Sequence, residues 1–164
     1  MVIALAFLIS PIPWGAVVAL VVVFGAITQA LANSFKQELL AMTPHTAADV
    51  YKIALYTSTA TLSKATTAYS ATNEVVGAGY TAGGQTLVGF TVTLDTDTAI
   101  LDWTTDPIWP AATITARGAL IYNSSRSNKA VAVLDFGADI TSTNDNFKVT
   151  LPAPAAATGL VRIG

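Results

Sequence analysis

A stretch in the middle of the chain alternates between apolar side chains and small or polar ones. Over residues 87–94, Val88, Phe90, Val92 and Leu94 alternate with glycine and threonine. A period of two residues is typical of a β-strand with one buried face. No alternating helical pattern follows that would support a parallel sheet. The sequence therefore predicts an antiparallel sheet in which the apolar side of this strand is buried and the threonine side is not.

Seven further runs of strand-forming residues are separated by turn signals. They lie at residues 50–57, 74–76, 99–103, 113–122, 130–136, 147–151 and 160–163, with turns such as 95–97 and 123–128 between them. Many short strands spaced in this way are typical of sandwiches and jelly rolls. We therefore predict that residues 44–164 form an all-β domain, an antiparallel β-sandwich or jelly roll of about eight strands.

A short amphipathic helix is predicted before this domain, over residues 33–43. Ser34 is a residue type that caps helices, Gln37 stands three positions later as in a capping box, and a proline follows the segment. Phe35 and Leu39 recur at helical spacing. Because two helical turns are not stable alone, we expect their apolar face to pack on the β domain or on a neighbouring subunit.

The apolar N-terminal segment, residues 1–32, allows three hypotheses. All 18 charged residues lie between Lys36 and Arg162, so the first 35 residues carry none. Residues 14–32 have the length of a membrane-spanning helix. Residues 30–32 have the small-x-small form of a signal cleavage site, although no cation precedes the apolar run. The third hypothesis is a mis-called start, with translation beginning near Leu31 at a TTG codon.

The composition excludes several classes of function. The chain has no cysteine, which removes disulfide scaffolds, thiolate metal sites and cysteine nucleophiles. Its formal net charge is −2, and the arginines Arg117, Arg126 and Arg162 are dispersed. A nucleic-acid-binding surface needs clustered positive charge. We therefore expect no nucleic-acid partner.

The sequence also lacks a recognisable catalytic or cofactor site. Residues 77–82 match the letters of a dinucleotide-binding fingerprint, but Gly83 and Gly84 follow where a helix should begin, which favours a loop. His45 is the one histidine, and neither G-x-S-x-G nor H-E-x-x-H occurs. The aspartates concentrate near turns without the spacing of a calcium loop. We predict no enzyme activity, no metal site and no cofactor.

The outward positions of the predicted strands favour assembly instead. They are rich in threonine, alanine and serine and poor in lysine and glutamate, a bias that suits protein interfaces. Aromatic residues contribute strongly to interface energetics. We take Phe35, Leu39, Trp103 and Trp109 as candidate interface residues, with packing in the core as the alternative for the two tryptophans.

Several short segments follow one another in a distinctive order. They are residues 33–40 (NSFKQELL), 51–57 (YKIALYT), 72–75 (TNEV), 79–84 (GYTAGG) and 119–123 (ALIYN). In this order they resemble a group of small virion structural proteins of tailed bacteriophages. The resemblance covers residues 31–152, and members of the group usually begin near the short helix, so residues 1–30 depart from it.

The resemblance implies a virion component, most of all a capsid decoration or cement protein that stabilises the head lattice through subunit interfaces. The implied partners are the major capsid protein or other virion proteins and further copies of the chain. Two alternatives remain open. One is a tail or fibre module that binds a host surface through residues 103–110 and 123–128. The other is a membrane-anchored surface β domain.

Overall fold

The computed structural model describes residues 25–164 of the chain. This part contains two antiparallel sheets and one short helix, joined by loops. The strands are β1 (Ala30–Leu31), β2 (Tyr51–Tyr56), β3 (Gln85–Thr86), β4 (Val88–Asp95), β5 (Thr98–Thr105), β6 (Ile108–Asn123), β7 (Lys129–Lys148) and β8 (Val161–Ile163), and the helix α1 is Asn33–Leu40. The prediction of an all-β sandwich with about eight strands and one short helix is confirmed.

The large sheet has the strand order β1-β7-β6-β2-β3. Its main unit is the hairpin of β6 and β7, whose pairing runs from Ile108 opposite Lys148 to Asn123 opposite Lys129. β2 pairs along its whole length with β6. Its residues other than Lys52 are buried, as expected for a strand that is covered on both faces.

The small sheet has the strand order β4-β5-β8. β4 and β5 form a hairpin that closes with Asp95 opposite Thr98. Thr96, in the two-residue connection, adopts a left-handed backbone with φ 55°. The predicted turn at 95–97 is thus confirmed.

Aromatic packing joins the two sheets. Tyr51 of the large sheet contacts both Phe90 and Trp103 of the small one, with ring centroids 5.1 and 5.3 Å away. Tyr51 and Trp103 are buried and Phe90 is partly buried. The small sheet is therefore attached to the large sheet by a cluster of three rings.

The helix differs from the prediction at both ends. Ala32 takes the N-cap position, no side chain caps the helix, and the Ser34 hydroxyl is buried without a partner among the described residues. At the other end the N–H of Thr43 donates to the Glu38 carbonyl, and Met42 has φ 55°. This is a Schellman ending, so α1 stops at Leu40 rather than continuing to residue 43.

Two predicted strands are absent, and two are longer than expected: β6, predicted over 113–122, and β7, predicted over 130–136. Residues 74–76 contribute only a single bridge, from Glu74 to Tyr56. Residues 147–151 are not a separate strand, because the first two end β7 and the others lie outside it. β6 begins at Ile108 rather than at 113. It accommodates Pro110 because the register shifts there and Ala111 turns to φ 48°.

The described end of the predicted apolar segment, residues 25–32, belongs to the β domain. β1 pairs with β7, and Ile27 and Ala32 are buried in the core. A continuous membrane helix over 14–32 is therefore wrong for its last residues, and the rest of that prediction lies in 1–24, outside the described residues. No helix from residue 25 onward has both the length and the apolarity to cross a bilayer.

Candidate functional site

The four residues predicted to form an interface lie against their own chain. Trp103 and Trp109 are 3% and 1% exposed, Phe35 is fully buried, and Leu39 packs on the core from α1. The segment 103–110, predicted as a binding loop, lies mostly in β5 and β6. In the folded chain these side chains hold the helix and the sheets together, and only Leu39 is partly exposed.

Each ring has an aromatic neighbour from another part of the chain. Trp109 stacks on Tyr80 at 5.9 Å and meets Phe147 edge-on at 6.1 Å. Phe35 meets the ring of His45 edge-on at 4.7 Å. Edge-on and offset stacked pairs of this kind add about 0.5–1.5 kcal/mol beyond their buried area.

Four of the ten large apolar residues that are exposed among the described residues lie together on one face of the small sheet. We call this the apolar face and define it by Val88, Val92, Leu94 and Ile163, which are 57%, 63%, 73% and 55% exposed. They share a face because alternate residues of β4 pair with alternate residues of β5, and Ile163 pairs with Ala99, the partner of Leu94. The sequence predicts this side of β4 to be buried, and for these residues that prediction is wrong.

The rest of the same side is covered. Leu101, Trp103 and Val161 are buried, and α1 lies over part of the sheet. Between them is a cavity of about 150 Å³, lined by Phe35, Leu39, His45, Val92, Ala99, Ile100, Leu101, Val161 and Ile163. The cover therefore ends partway across the sheet and leaves the apolar face open.

The strand that carries most of the apolar face is also the edge of its sheet. The outermost strands of the two sheets are β1, β3, β4 and β8, of 2, 2, 8 and 3 residues. An edge strand has backbone N–H and C=O groups that point away from its partner. β4 is thus the one long edge among these outermost strands.

Two more exposed apolar side chains stand at the end of the helix. Leu40 and Met42 are 87% and 89% exposed. Met42 is held outward by the left-handed turn that ends α1. Single exposed apolar residues are normal on a soluble surface, so we do not assign these two to the apolar face.

A polar cluster anchors the helix to the large sheet. Glu38 accepts hydrogen bonds from His45 Nε2 at 2.9 Å and Lys129 Nζ at 3.0 Å. Burial disfavours the charged form of Glu38, but the hydrogen bonds from Lys129 and His45 outweigh it and hold the pKa of Glu38 below its usual range. The His45 side chain is 1% exposed, so the histidine serves as a structural link between α1 and the body.

A second carboxylate continues this cluster at the end of the β6–β7 hairpin. Asp49 accepts hydrogen bonds from Asn123 Nδ2 at 3.2 Å and Arg126 Nε at 3.3 Å. Burial disfavours the charged form of Asp49, but hydrogen bonds from the Thr46 N–H, Asn123 and Arg126 outweigh this effect. The pKa of Asp49 is therefore held below its usual range. The predicted loop 123–128 is therefore tied to the body by ion pairing.

A buried glutamate that the sequence did not single out organises the glycine-rich loop. Glu74 accepts hydrogen bonds from the hydroxyls of Tyr69 and Tyr80, both at 2.6 Å, and from the Gly83 N–H at 2.7 Å. The Tyr122 hydroxyl donates to the Gly83 carbonyl at 2.8 Å. No helix follows residues 77–82, so the loop prediction for the fingerprint-like segment is confirmed.

Two further aspartates, Asp102 and Asp106, bind backbone groups of their own chain. Asp102 accepts from the N–H groups of Trp103 and Leu160, and Asp106 accepts from the Leu151 N–H and from Lys148. Within residues 25–164, no three His, Cys, Asp or Glu side chains come together as a metal site would require. These carboxylates fix the course of the C-terminal segment.

An open cleft of about 430 Å³ lies between β7 and the C-terminal segment. Its lining includes Phe136, Phe147 and Leu160, with Lys148 and Arg162. Both cations are already engaged, Lys148 with Asp106 and Arg162 with the carbonyls of Ala156 and Ala157. The cleft therefore offers an apolar floor without a converging set of free polar groups.

Comparison with protein-family models, with curated proteins and with solved structures finds no match for this chain. The features of the chain that bear on its function are therefore the exposed apolar face and the β4 edge.

Proposed function

We propose that this chain is a virion structural protein of the tailed-bacteriophage type, a capsid decoration protein that adds to the head lattice. The observation that carries the proposal is the apolar face, on which Val88, Val92, Leu94 and Ile163 are each more than half exposed. Contiguous exposed apolar residues mark interaction surfaces.

The scarcity of charge around the apolar face supports docking on protein. Charged residues make up 11% of the chain, and β4 carries only Asp95. Burying a surface of this composition removes few charges from water, so the desolvation cost is low. A charge-poor apolar surface therefore suits a lasting contact with a protein lattice.

Repetition supplies the stability that one contact lacks. We propose that the apolar face lies on the major capsid protein and that each copy contributes a modest contact. When many copies dock on neighbouring lattice positions, linked contacts strengthen one another. The head would then resist heat and low ionic strength better with the protein than without it.

Particles provide the test of this proposal. Virions purified from a lysate that contains the chain are labelled with gold-conjugated antibody against it and imaged by electron microscopy. Label on heads supports the proposal. Label confined to tails favours the host-binding alternative, and a chain that sediments with membranes and is absent from particles contradicts a virion role.

A pair of variants connects location to the apolar face. Ile163→Lys places a charge on the face, whereas Val76→Lys places the same charge at a residue that is 94% exposed outside the face. We expect Ile163→Lys to reduce the copies per head severalfold and Val76→Lys to leave them unchanged. Equal occupancy for both variants would show that the apolar face does not contact the lattice.

A further inference from the structure

We propose that two copies of this chain pair through the free edge of β4, in antiparallel orientation about a two-fold axis perpendicular to the small sheet. The pairing joins two three-stranded sheets into one sheet of six strands. The pairing itself is a property of the chain alone. Only the further statement that the dimer is the unit that docks on the capsid rests on the proposed function.

The backbone of β4 makes the edge available. Pairing with β5 is regular from Phe90 opposite Trp103 to Asp95 opposite Thr98. An antiparallel strand directs only alternate N–H and C=O groups to its neighbour, so the others along this stretch point to the open side. A second strand can form hydrogen bonds with these outward N–H and C=O groups, as β5 does with the groups on its own side of β4.

The features that protect edge strands are missing from β4. Natural edges are blunted by shortness, lysine, proline or bulges. From Phe90 to Asp95 the strand has no proline and no lysine, and its one distorted residue, Gly89 with φ 81°, lies before this stretch. The sequence of β4 thus leaves six consecutive residues open to pairing.

The other long open edge is protected. β1 pairs with only two residues of β7, so residues 137–146 of β7 also face solvent at the border of the large sheet. This stretch contains Asp139 and Asp145, a left-handed Gly137 and a left-handed Asn144. Charge and backbone distortion of this kind discourage pairing, which singles out β4.

Charge favours a second copy in antiparallel orientation. With Val92 at the axis, the two Asp95 residues stand on opposite sides of it, about 20 Å apart at 3.3 Å per residue, beyond the screening length of physiological salt. Parallel pairing would place the two carboxylates next to each other, about 5 Å apart. The only charge on β4 therefore opposes the parallel arrangement and tolerates the antiparallel one.

The same symmetry keeps the apolar residues together. A two-fold axis perpendicular to the sheet leaves each face on its own side, so even-numbered residues of one β4 stand opposite even-numbered residues of the other. Phe90 then faces Leu94 of the second copy, and Val92 faces Val92. Cross-strand apolar pairs stabilise a sheet, and the apolar face becomes continuous over both copies.

Cysteine cross-linking tests the pairing directly because the chain has no cysteine of its own. Thr91→Cys, Val92→Cys and Thr93→Cys are made singly in the full chain and oxidised at low protein concentration. We expect at least one of them to form a disulfide between copies quantitatively. Ile163→Cys lies on the same face of the sheet but on β8, two strands away from the β4 edge. We expect it to remain unlinked.

Sedimentation tests the same pairing without oxidation. The wild-type chain should sediment at twice its 16.9 kDa mass, Val92→Lys at the mass of one copy, and Ile163→Lys at twice the mass. A single-copy wild type, a Val92→Lys variant that stays paired, or cross-linking of Ile163→Cys alone would overturn the proposal. A single-copy wild type would also favour a strand of another protein as the occupant.

The outcomes separate this inference from the proposed function. A chain that pairs through β4 but is absent from virion heads keeps the dimer and removes the capsid role. A chain that is found on heads but sediments as one copy keeps the capsid role and removes the dimer.

Discussion

Phe90 on β4 stacks on Tyr51 of β2, with ring centroids 5.1 Å apart and planes inclined by 16°. Trp103 meets Tyr51 edge-on at 5.3 Å and Phe90 edge-on at 5.9 Å. These three rings pack the small sheet against the large one. The orientation of the β4 edge therefore depends on a contact between residues 39 positions apart.

Replacing Phe90 by alanine should loosen the small sheet. The variant removes a partly buried ring and its two aromatic contacts, which we expect to lower the free energy of unfolding by about 2–4 kcal/mol. Val92→Ala, on the same face of the same strand but 63% exposed, should cost about 1 kcal/mol or less. Urea unfolding at neutral pH measures both, and equal losses would contradict a sheet-to-sheet role for Phe90.

The pattern of β4 shows how far the sequence determined the fold. Alternation correctly predicted a strand and the turn at 95–97. It could not distinguish Phe90, which is covered by Tyr51, from Val92 and Leu94, which are 63% and 73% exposed. The two-residue period indicates that one side of β4 is apolar. How much of that side is buried depends on where α1 and the large sheet pack against it.

Trp109 and Glu74 show what sequence patterns missed. Prolines stand on either side of Trp109, yet a bulge with Ala111 in the left-handed region keeps the segment in β6. Glu74 was assigned to a strand, although its carboxylate instead gathers Tyr69, Tyr80 and Gly83. These hydrogen bonds join residues 5, 6 and 9 positions apart within a loop, and such irregular spacing leaves no periodic signal in the chain.

Removing the Tyr80 hydroxyl should cost more stability than removing that of Tyr69. The Tyr80 hydroxyl donates to Glu74 and also accepts the Leu55 N–H at 2.9 Å, whereas the Tyr69 hydroxyl donates to Glu74. Tyr80→Phe therefore leaves the Leu55 N–H without its hydrogen-bond acceptor. We expect it to lower the free energy of unfolding by about 2–3 kcal/mol, against about 1 kcal/mol for Tyr69→Phe. Thermal or urea unfolding of the two variants decides, and the reverse order would refute this account of the cluster.

The tyrosines should titrate abnormally late in the folded chain. Burial raises the pKa of all five, to about 12 for Tyr51, and for Tyr69 and Tyr80 the hydrogen bond to Glu74 adds to it. Because the folded pKa exceeds the unfolded one, this stability is complete below pH 10 and is lost as the pH rises through the folded values. Tyrosinate absorbance should stay low near pH 10 in buffer and rise there in urea. A native titration centred at pH 10 would disprove the burial.

Glu38 should make stability sensitive to acid. Its pKa is lowered from 4.5 because hydrogen bonds from Lys129 and His45 outweigh the effect of burial. A depressed folded pKa means that the stabilisation is complete above pH 4.5 and is lost as the pH falls through the lower folded value. We expect Glu38→Gln to lose about 1–2 kcal/mol at pH 7 and to match the wild type once the wild-type carboxylate is protonated.

The matched control for this titration is Asp139→Asn, which removes an exposed carboxylate from β7. We expect it to change the free energy of unfolding by less than about 0.5 kcal/mol and to leave the shape of the pH profile unaltered. Urea unfolding of the three proteins between pH 3 and pH 7 gives the comparison. If the gap between wild type and Glu38→Gln stays constant below pH 4.5, the cluster of Glu38, His45 and Lys129 does not anchor α1 through charge, and its contribution is one of packing alone.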